Sequence, residues 1–206
     1  MTVNKGKIFE QDFKDSLDVF PSIWAYRPSD FGGGQSSRFT NHSLCDFMAF
    51  NNTTGNLFLF ELKSTQTTSI SCPPVKSIIS LLEMEMQPLD NLTKEEKKAA
   101  HKAIKELTRH LNTYKIKYHQ LKSLLEIECN PQYLRMHPYF LLNFRNVNKT
   151  FLIAPSNLHQ ALVDTQKASV NMADIISHGG IEVEQEQVRK TQHFLYHVED
   201  ILNGKN

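Results

Sequence analysis

Two apolar, aromatic-rich runs in the first third of the chain flank a turn of Asn, Thr and Gly residues at positions 51–56. This pattern is typical of a β-hairpin with a longer loop. If Phe50 pairs with Leu57, Asp46 lies opposite Glu61, and directly opposed residues share a face with Cβ atoms roughly 5 Å apart. A slip of one residue would turn the two acids to opposite faces, so the prediction depends on this register.

Two stretches further along the chain carry apolar residues at helical spacing. The first covers residues 76–87, and the second begins with a capping-box pattern at Thr93 to Glu96. In the second stretch apolar residues recur every three or four positions as far as Leu125, which predicts a long helix with Asn112 as the candidate break. The two stretches predict a helical hairpin closed by residues 87–91.

The remaining pattern predicts an α/β fold with a central mixed β-sheet flanked by helices. The predicted elements are a helix that opens at 6–10, a helix that starts at 119–120, strands at 139–144 and 150–153, a helix near 158–162, a strand within 175–183 and a closing helix at 188–202. We expect one domain over residues 1–206, with a helical insertion at 73–115.

Charge along the chain is locally segregated although the net charge is only +1. Residues 94–122 hold nine Lys or Arg against three Glu, a local balance of +6. Acidic residues predominate toward the C-terminus. Such a molecule could lay its basic face along phosphates. The alternative is an ordinary solvated helix face.

Cysteine usage and hydropathy predict the cellular compartment. The three cysteines are odd in number and lack metal-type spacing, which suits a reducing compartment. The first residues are polar and do not form a secretory signal, and no apolar run has the length of a membrane span. We therefore expect a cytoplasmic protein with no membrane segment.

Three charged residues of the hairpin suggest a reactive site. Side chains alternate along a strand, so Lys63 shares the face of Glu61 and Asp46. Two carboxylates this close resist ionisation unless a divalent cation lies between them, and oxygen ligands favour Mg²⁺ or Mn²⁺. Such a metal lowers the pKa of an attacking water, and a lysine stabilises the charge that develops on a phosphate. The alternative is a solvated edge strand, which the four phenylalanines of the two runs disfavour.

The hairpin resembles the active-site hairpin of the PD-(D/E)XK nuclease superfamily. The order of elements is similar to the RecU-type Holliday junction resolvases, with a helix at 6–10 that carries a glutamate, Thr65 after the hairpin, His119-Gln120 at a helix start, and two apolar strands. The resemblance covers most of the chain outside residues 73–115. It is strongest at the hairpin and at His119-Gln120, and weakest at the N-terminal glutamate.

The resemblance implies a role for each matching residue. Asp46 and Glu61 match the metal-binding acids, and Lys63 matches the lysine that stabilises the transition state. Gln120 matches a glutamine that contributes to the Mg²⁺ or Mn²⁺ site, and Glu10 matches the glutamate that assists with the metal or a water. The alternatives are a helix-surface amide for Gln120 and a helix-surface acid for Glu10. The chain departs from the family at Leu44, where the family tends to place a hydroxyl ligand.

The resemblance also implies branched DNA as the substrate and a homodimer with one site per subunit, because a four-way junction is cut on two symmetry-related strands. Candidate DNA contacts are Arg27 and Arg38, which flank a glycine-rich loop where the family has a stalk, and the basic residues Lys98, Lys102, Lys105, Arg109 and Lys117. The loop arginines could instead be merely solvated. The helical insertion is expected to support dimerisation or DNA binding.

The sequence leaves three functions open. The first is a junction-resolving endonuclease, and the second is a nuclease of the same superfamily with another target, such as restriction or mobile-element end processing. The third is a non-catalytic DNA-binding or assembly protein on the same fold. The presence of Asp46, Glu61 and Lys63 argues against the third, because a chain without catalysis has no evident need for opposed carboxylates.

Overall fold

A computed structural model describes residues 5–28, 44–88, 90, 92–188 and 193–204. The helices are α1 (Lys5–Asp18), α2 (Val75–Met86), α3 (Lys94–Leu111), α4 (Tyr118–Cys129), α5 (Pro155–Thr165), α6 (Met172–Ser177) and α7 (Glu199–Leu202), with a 3-10 turn at Pro131–Tyr133. The strands are β1 (Ile23–Tyr26), β2 (Phe47–Asn51), β3 (Asn56–Thr65), β4 (Ser69–Ser71), β5 (Met136–Phe144), β6 (Lys149–Ile153), β7 (Ser169–Asn171), β8 (Ile181–Val183), β9 (Gln185–Gln187) and β10 (Phe194–Tyr196). The protein is mixed α/β, as the sequence predicts.

The central sheet has six strands in the order β1-β2-β3-β5-β6-β8. Strands β1, β2 and β3 form an antiparallel meander, β3 and β5 are parallel, and the remaining pairs are antiparallel. A parallel pair needs a crossover connection, and the chain from β3 to β5 supplies it through α2, α3 and α4. The predicted hairpin register is confirmed, since Phe50 pairs with Leu57.

Both faces of the sheet are covered at β3, and alternation along this strand divides the core in two. Leu59 points into a cluster formed largely with α2, α4 and α5. Phe58 and Phe60 point to the opposite face, toward α1 and β10. There the ring of Phe13 packs edge-on against Phe60, with the ring centroids 5.1 Å apart. Glu61 has the parity of Leu59, so the predicted reactive residues lie on the face of α4.

The predicted helical hairpin over 73–115 is present as α2 and α3. Thr93 and Glu96 form the predicted capping box, in which Thr93 N–H donates to Glu96 Oε2 at 2.8 Å and Glu96 N–H donates to Thr93 Oγ1 at 3.3 Å. Helix α3 ends at the predicted break, where Asn112 Oδ1 accepts the N–H of His119 at 3.1 Å. This bond ties the end of α3 to the start of α4.

The predicted closing helix at 188–202 is wrong. The described part of this segment contains β10, which pairs with β9, and only its last residues form α7. Tyr196 is 2% exposed and its N–H donates to Ser16 Oγ at 2.9 Å. Contacts with α1 therefore hold this segment extended. Within 175–183, β8 is the predicted strand, but α6 occupies the beginning of that range.

Strands β1, β4 and β7 are absent from the sequence-based prediction. They have at most four residues each, and β4 and β7 pair with each other in a separate two-stranded sheet. Such short strands leave little periodicity to detect. No helix in the described ranges combines the length and the apolar character needed to cross a membrane.

Candidate active site

Asp46 lies one residue before β2 and continues its pairing with β3. Its N–H donates to the carbonyl oxygen of Phe60 at 3.0 Å, and its Oδ2 accepts the N–H of Leu62 at 2.7 Å. The two bonds hold the Asp46 carboxylate against β3 beside Glu61. The sequence-based prediction that the two acids face each other is confirmed.

Glu61 is the most buried charged residue of this site, at 1% exposure in the middle of β3. Its Oε1 accepts hydrogen bonds from Lys63 Nζ and from Gln120 Nε2. The Lys63 side chain is itself only 15% exposed. Strands β2 and β3 and the first turn of α4 thus bring four polar side chains to one point, although Gln120 is 59 residues from Glu61 in the chain.

Burial raises the pKa of the Glu61 carboxyl to about 7. The adjacent carboxyl group of Asp46 shifts this pKa in the same direction, and the charge of Lys63 opposes both. One lysine cannot neutralise two neighbouring carboxylates. A further cation at this position would therefore stabilise the ionised pair.

Gln120 contacts Glu61 through its amide nitrogen. Its Oε1 accepts the N–H of Lys117 at 3.3 Å, which caps the start of α4. A bond to a metal would require the amide oxygen, so the amide would have to turn and give up this cap. The predicted proximity of Gln120 to the acids is found, and its role as a metal ligand stays a prediction.

The oxygen donors of this site suit Mg²⁺ better than they suit Zn²⁺. Within the described ranges, no three His, Cys, Asp or Glu side chains are grouped to hold a metal ion. Mg²⁺ is commonly held by one or two carboxylates and keeps several waters, so Asp46 and Glu61 suit this ion. Leu44 presents a partly exposed apolar side chain and supplies no side-chain oxygen.

The Oε2 of Glu10 forms an ion pair with Arg27. The guanidinium of Arg27 lies 5.6 Å from the ring centroid of Phe47, the residue after Asp46. The Phe47 side chain belongs to the core on the α1 face, whereas Asp46 and Glu61 lie on the other face. The structure thus brings Glu10 close to β2 on the face opposite Glu61, and its catalytic role stays a prediction.

The predicted DNA-contacting residues occupy different environments. Lys98, Lys102, Lys105 and Arg109 are exposed on α3, and Lys102 approaches Glu106 at 4.0 Å. Lys117 is half-buried at the start of α4, next to the acids through Gln120. Arg27 is exposed beside β1, and Arg38 lies outside the described residues.

The sequence-based prediction missed Lys115 as a residue of this site. Its Nζ donates to the carbonyl oxygen of Ser64 at 3.1 Å, one residue from Lys63. Partial burial, and then the nearby charge of Arg145, lower the pKa of Lys115. Lys115 belongs to the basic run in the sequence, but only the crossover from β3 to α4 places it at the end of β3.

Comparison of the chain with models of known protein families and with curated proteins finds no match.

Proposed function

We propose that this protein is a metal-dependent, structure-selective DNA endonuclease that resolves four-way junctions. The observation that carries the proposal is the convergence of Asp46, Glu61 and Lys63 on one face of the sheet, with Glu61 buried against a second acid. The sequence resemblance to RecU-type resolvases supports the choice of substrate.

In this proposal Asp46 and Glu61 hold Mg²⁺ or Mn²⁺. A bound ion of this kind polarises a phosphoryl oxygen and lowers the pKa of a bound water. The peptide N–H of Leu62 keeps Asp46 in place, and the Gln120 amide does the same for Glu61. Lys63, freed from part of its pairing when the acids bind a cation, can donate to a phosphate oxygen and stabilise negative charge during hydrolysis.

DNA binding in this proposal uses cations at two distances from the acids. Lys115 and Lys117 lie beside the site, and the exposed basic residues of α3 extend the positive surface. Contacts of this type bind phosphates without reading sequence. We propose a homodimer with one site per subunit because a junction must be cut on two symmetry-related strands.

Cleavage of synthetic four-way junctions tests the proposal. Wild type is compared with Asp46→Ala and Glu61→Ala in Mg²⁺ or Mn²⁺, with flaps and linear duplex as competing substrates. Glu83→Ala removes an exposed acid from α2 and serves as the matched control. We expect paired, symmetric nicks in the junction from wild type and from the control, and none from the two site variants.

Other outcomes separate the alternatives. Preferential cleavage of flaps or linear duplex would identify a nuclease with another target. Nicking that survives both site substitutions would overturn the assignment of the acids. Binding of junctions without cleavage of any DNA would favour a non-catalytic DNA-binding protein.

A further inference from the structure

Strand β1, at the edge of the central sheet, exposes two stacked aromatic side chains. Trp24 is 56% exposed and Tyr26 is 40% exposed. Their rings are parallel within 3°, with centroids 5.6 Å apart. Phe50, which pairs with Trp24 from β2, is 36% exposed. We call these three residues the aromatic patch.

The aromatic patch lies on the same face of the sheet as the candidate active site. Tyr26 pairs with Met48, and paired residues project to the same face. Asp46 is two residues from Met48 and shares its parity, so Tyr26 is a diagonal neighbour of Asp46. Diagonal neighbours in antiparallel strands are roughly 7–8 Å apart. This separation is short enough for a base on Tyr26 and a phosphate at Asp46 to belong to neighbouring nucleotides of one strand.

We propose that Trp24 and Tyr26 form a stacking platform for an unpaired base close to the scissile phosphate. The inference rests on the proposed nuclease function and names the form of DNA that the site accepts. Flat aromatic rings bind the faces of unstacked bases, whichever base is present. A base held in a duplex cannot reach such a platform, so the platform selects DNA with unpaired nucleotides at the cleavage position.

The position of the patch favours a nucleic acid as the occupant. Arg27, which directly follows Tyr26, does not contribute to it, because Arg27 pairs with Glu10 and lies over the Phe47 ring on the opposite face of the sheet. The patch itself continues along one sheet face into the site where a phosphodiester would be cut. A base on Tyr26 and a phosphate near Asp46 would therefore belong to the same strand.

The size of the patch disfavours a stable protein partner. Three aromatic side chains at these exposures present roughly 300 Å² of surface. A specific protein interface buries about 800 Å² on each partner. A single base needs far less area, because it stacks on one face of one aromatic ring.

Trp24 is the only tryptophan in the chain, so its fluorescence reports on the platform directly. The probe is an oligothymidylate of about ten nucleotides, titrated in EDTA so that no cleavage occurs. We expect saturable quenching of Trp24 by the single strand and much weaker quenching by a duplex of equal length. Tyr26→Ala should weaken single-strand affinity roughly fivefold to a hundredfold.

Two further variants serve as controls, with affinity measured by anisotropy of a labelled oligonucleotide. Trp24→Phe keeps an aromatic ring and should retain most of the affinity, whereas Trp24→Ala should lose it. Ile176→Ala removes a side chain of similar exposure, at 55%, near the opposite edge of the sheet and should bind as wild type.

Single-strand binding without quenching, or unchanged binding by both Tyr26→Ala and Trp24→Ala, would overturn the platform. Trp24 fluorescence that changes with protein concentration in the absence of DNA would assign the patch to self-association. That result would also overturn the platform. These readouts need no cleavage. Failure of the nuclease proposal appears separately, as absence of cleavage in Mg²⁺ with quenching intact.

Discussion

Two carboxylates are buried on opposite faces of the central sheet, and their surroundings differ in kind. Asp12 in α1 is 4% exposed and Glu61 in β3 is 1% exposed. Asp12 Oδ2 accepts the N–H of Phe194 at 3.0 Å, and its Oδ1 lies 2.7 Å from His193 Nδ1. Glu61 instead shares its pocket with a second acid, Asp46, and with one lysine.

The difference teaches that burial of an acid does not by itself indicate a reactive site. The donors around Asp12 replace the water that it loses on folding, so it joins β10 to α1 as a structural group. The donors around Glu61 leave the repulsion from Asp46 only partly balanced. A cation would remove that repulsion, which makes Glu61 and not Asp12 the candidate for chemistry.

The largest expected contrast is in activity. Glu61→Gln should lower the single-turnover rate of junction cleavage at least about 1000-fold, because removal of a metal-binding acid takes away several kcal/mol of transition-state stabilisation. Asp12→Asn, assayed at a temperature where it is folded, should stay within about threefold of wild type, since Asp12 lies on the other face of the sheet. Equal reductions of the cleavage rate in the two variants would contradict the assignment of the chemistry to Glu61 and not to Asp12.

The free energy of unfolding should fall more when Asp12 is replaced than when Glu61 is replaced, the opposite of the order expected for activity. Asp12→Ala should lower the free energy of unfolding by about 2–4 kcal/mol, because it leaves the N–H of Phe194 and the His193 ring without their partner. Glu61→Gln should change it by less than about 1 kcal/mol or raise it in metal-free protein, since it removes a charge next to Asp46. Urea unfolding in EDTA measures both, and a larger decrease for Glu61→Gln would contradict the comparison.

The pH dependence of stability sharpens the same contrast. The folded pKa of Glu61 is about 7, above the ordinary glutamate value of 4.5. Between these values the folded protein retains a proton that the unfolded chain releases. Metal-free wild type should therefore lose stability relative to Glu61→Gln as pH rises through this window, by about 3 kcal/mol in total.

The matched measurement compares the two variants across pH 5 to about 8. Asp12→Asn should keep the decline with rising pH, because Glu61 is intact in it. Mg²⁺ added at the upper end should recover stability in wild type by binding the ionised acids, and not in Glu61→Gln. A wild-type profile parallel to that of Glu61→Gln would show that burial and the neighbouring Asp46 do not raise the pKa of Glu61.

The smallest effect is expected from the exposed charges of α3. Replacement of Lys98, Lys105 or Arg109 by Ala should weaken junction binding only severalfold each, and should reduce the slope of log affinity against log salt by roughly 0.9 for each phosphate that is no longer neutralised. Their exposure predicts little change in stability. An unchanged salt slope for all three variants would remove α3 from the DNA-binding surface.

Short-range patterns are sufficient for much of the fold. The composition of the turn at 51–56 and the alternation around it specify the register of β2 and β3, and with it the meeting of Asp46 and Glu61. The Thr93–Glu96 capping box specifies where α3 begins. Both signals depend on residues a few positions apart, so they can be read from the chain alone.

The wrong and missing predictions concern elements that depend on residues far apart in the chain. The sequence predicts a helix over residues 188–202, but Phe194 and Tyr196 bond to α1 from about 180 positions away and belong to a strand. The exposed stack of Trp24 and Tyr26 gives no clear signal in the sequence, because β1 has only four residues and its pairing with β2 decides which face they occupy. Long-range contacts of this kind override weak local preferences.

The sequence by itself determined which residues could form a metal-binding hairpin, because strand alternation and the turn place two acids and a lysine on one face. Only the tertiary structure decided which buried carboxylate, Glu61 or Asp12, lies next to a second acid whose repulsion is not fully neutralised. The α4 crossover brings Gln120 and Lys115 to β3, and the β10 segment brings donors to Asp12. The physical reason is that a carboxylate's environment depends on dielectric and on neighbours in space, and these are assembled by elements far apart in the chain.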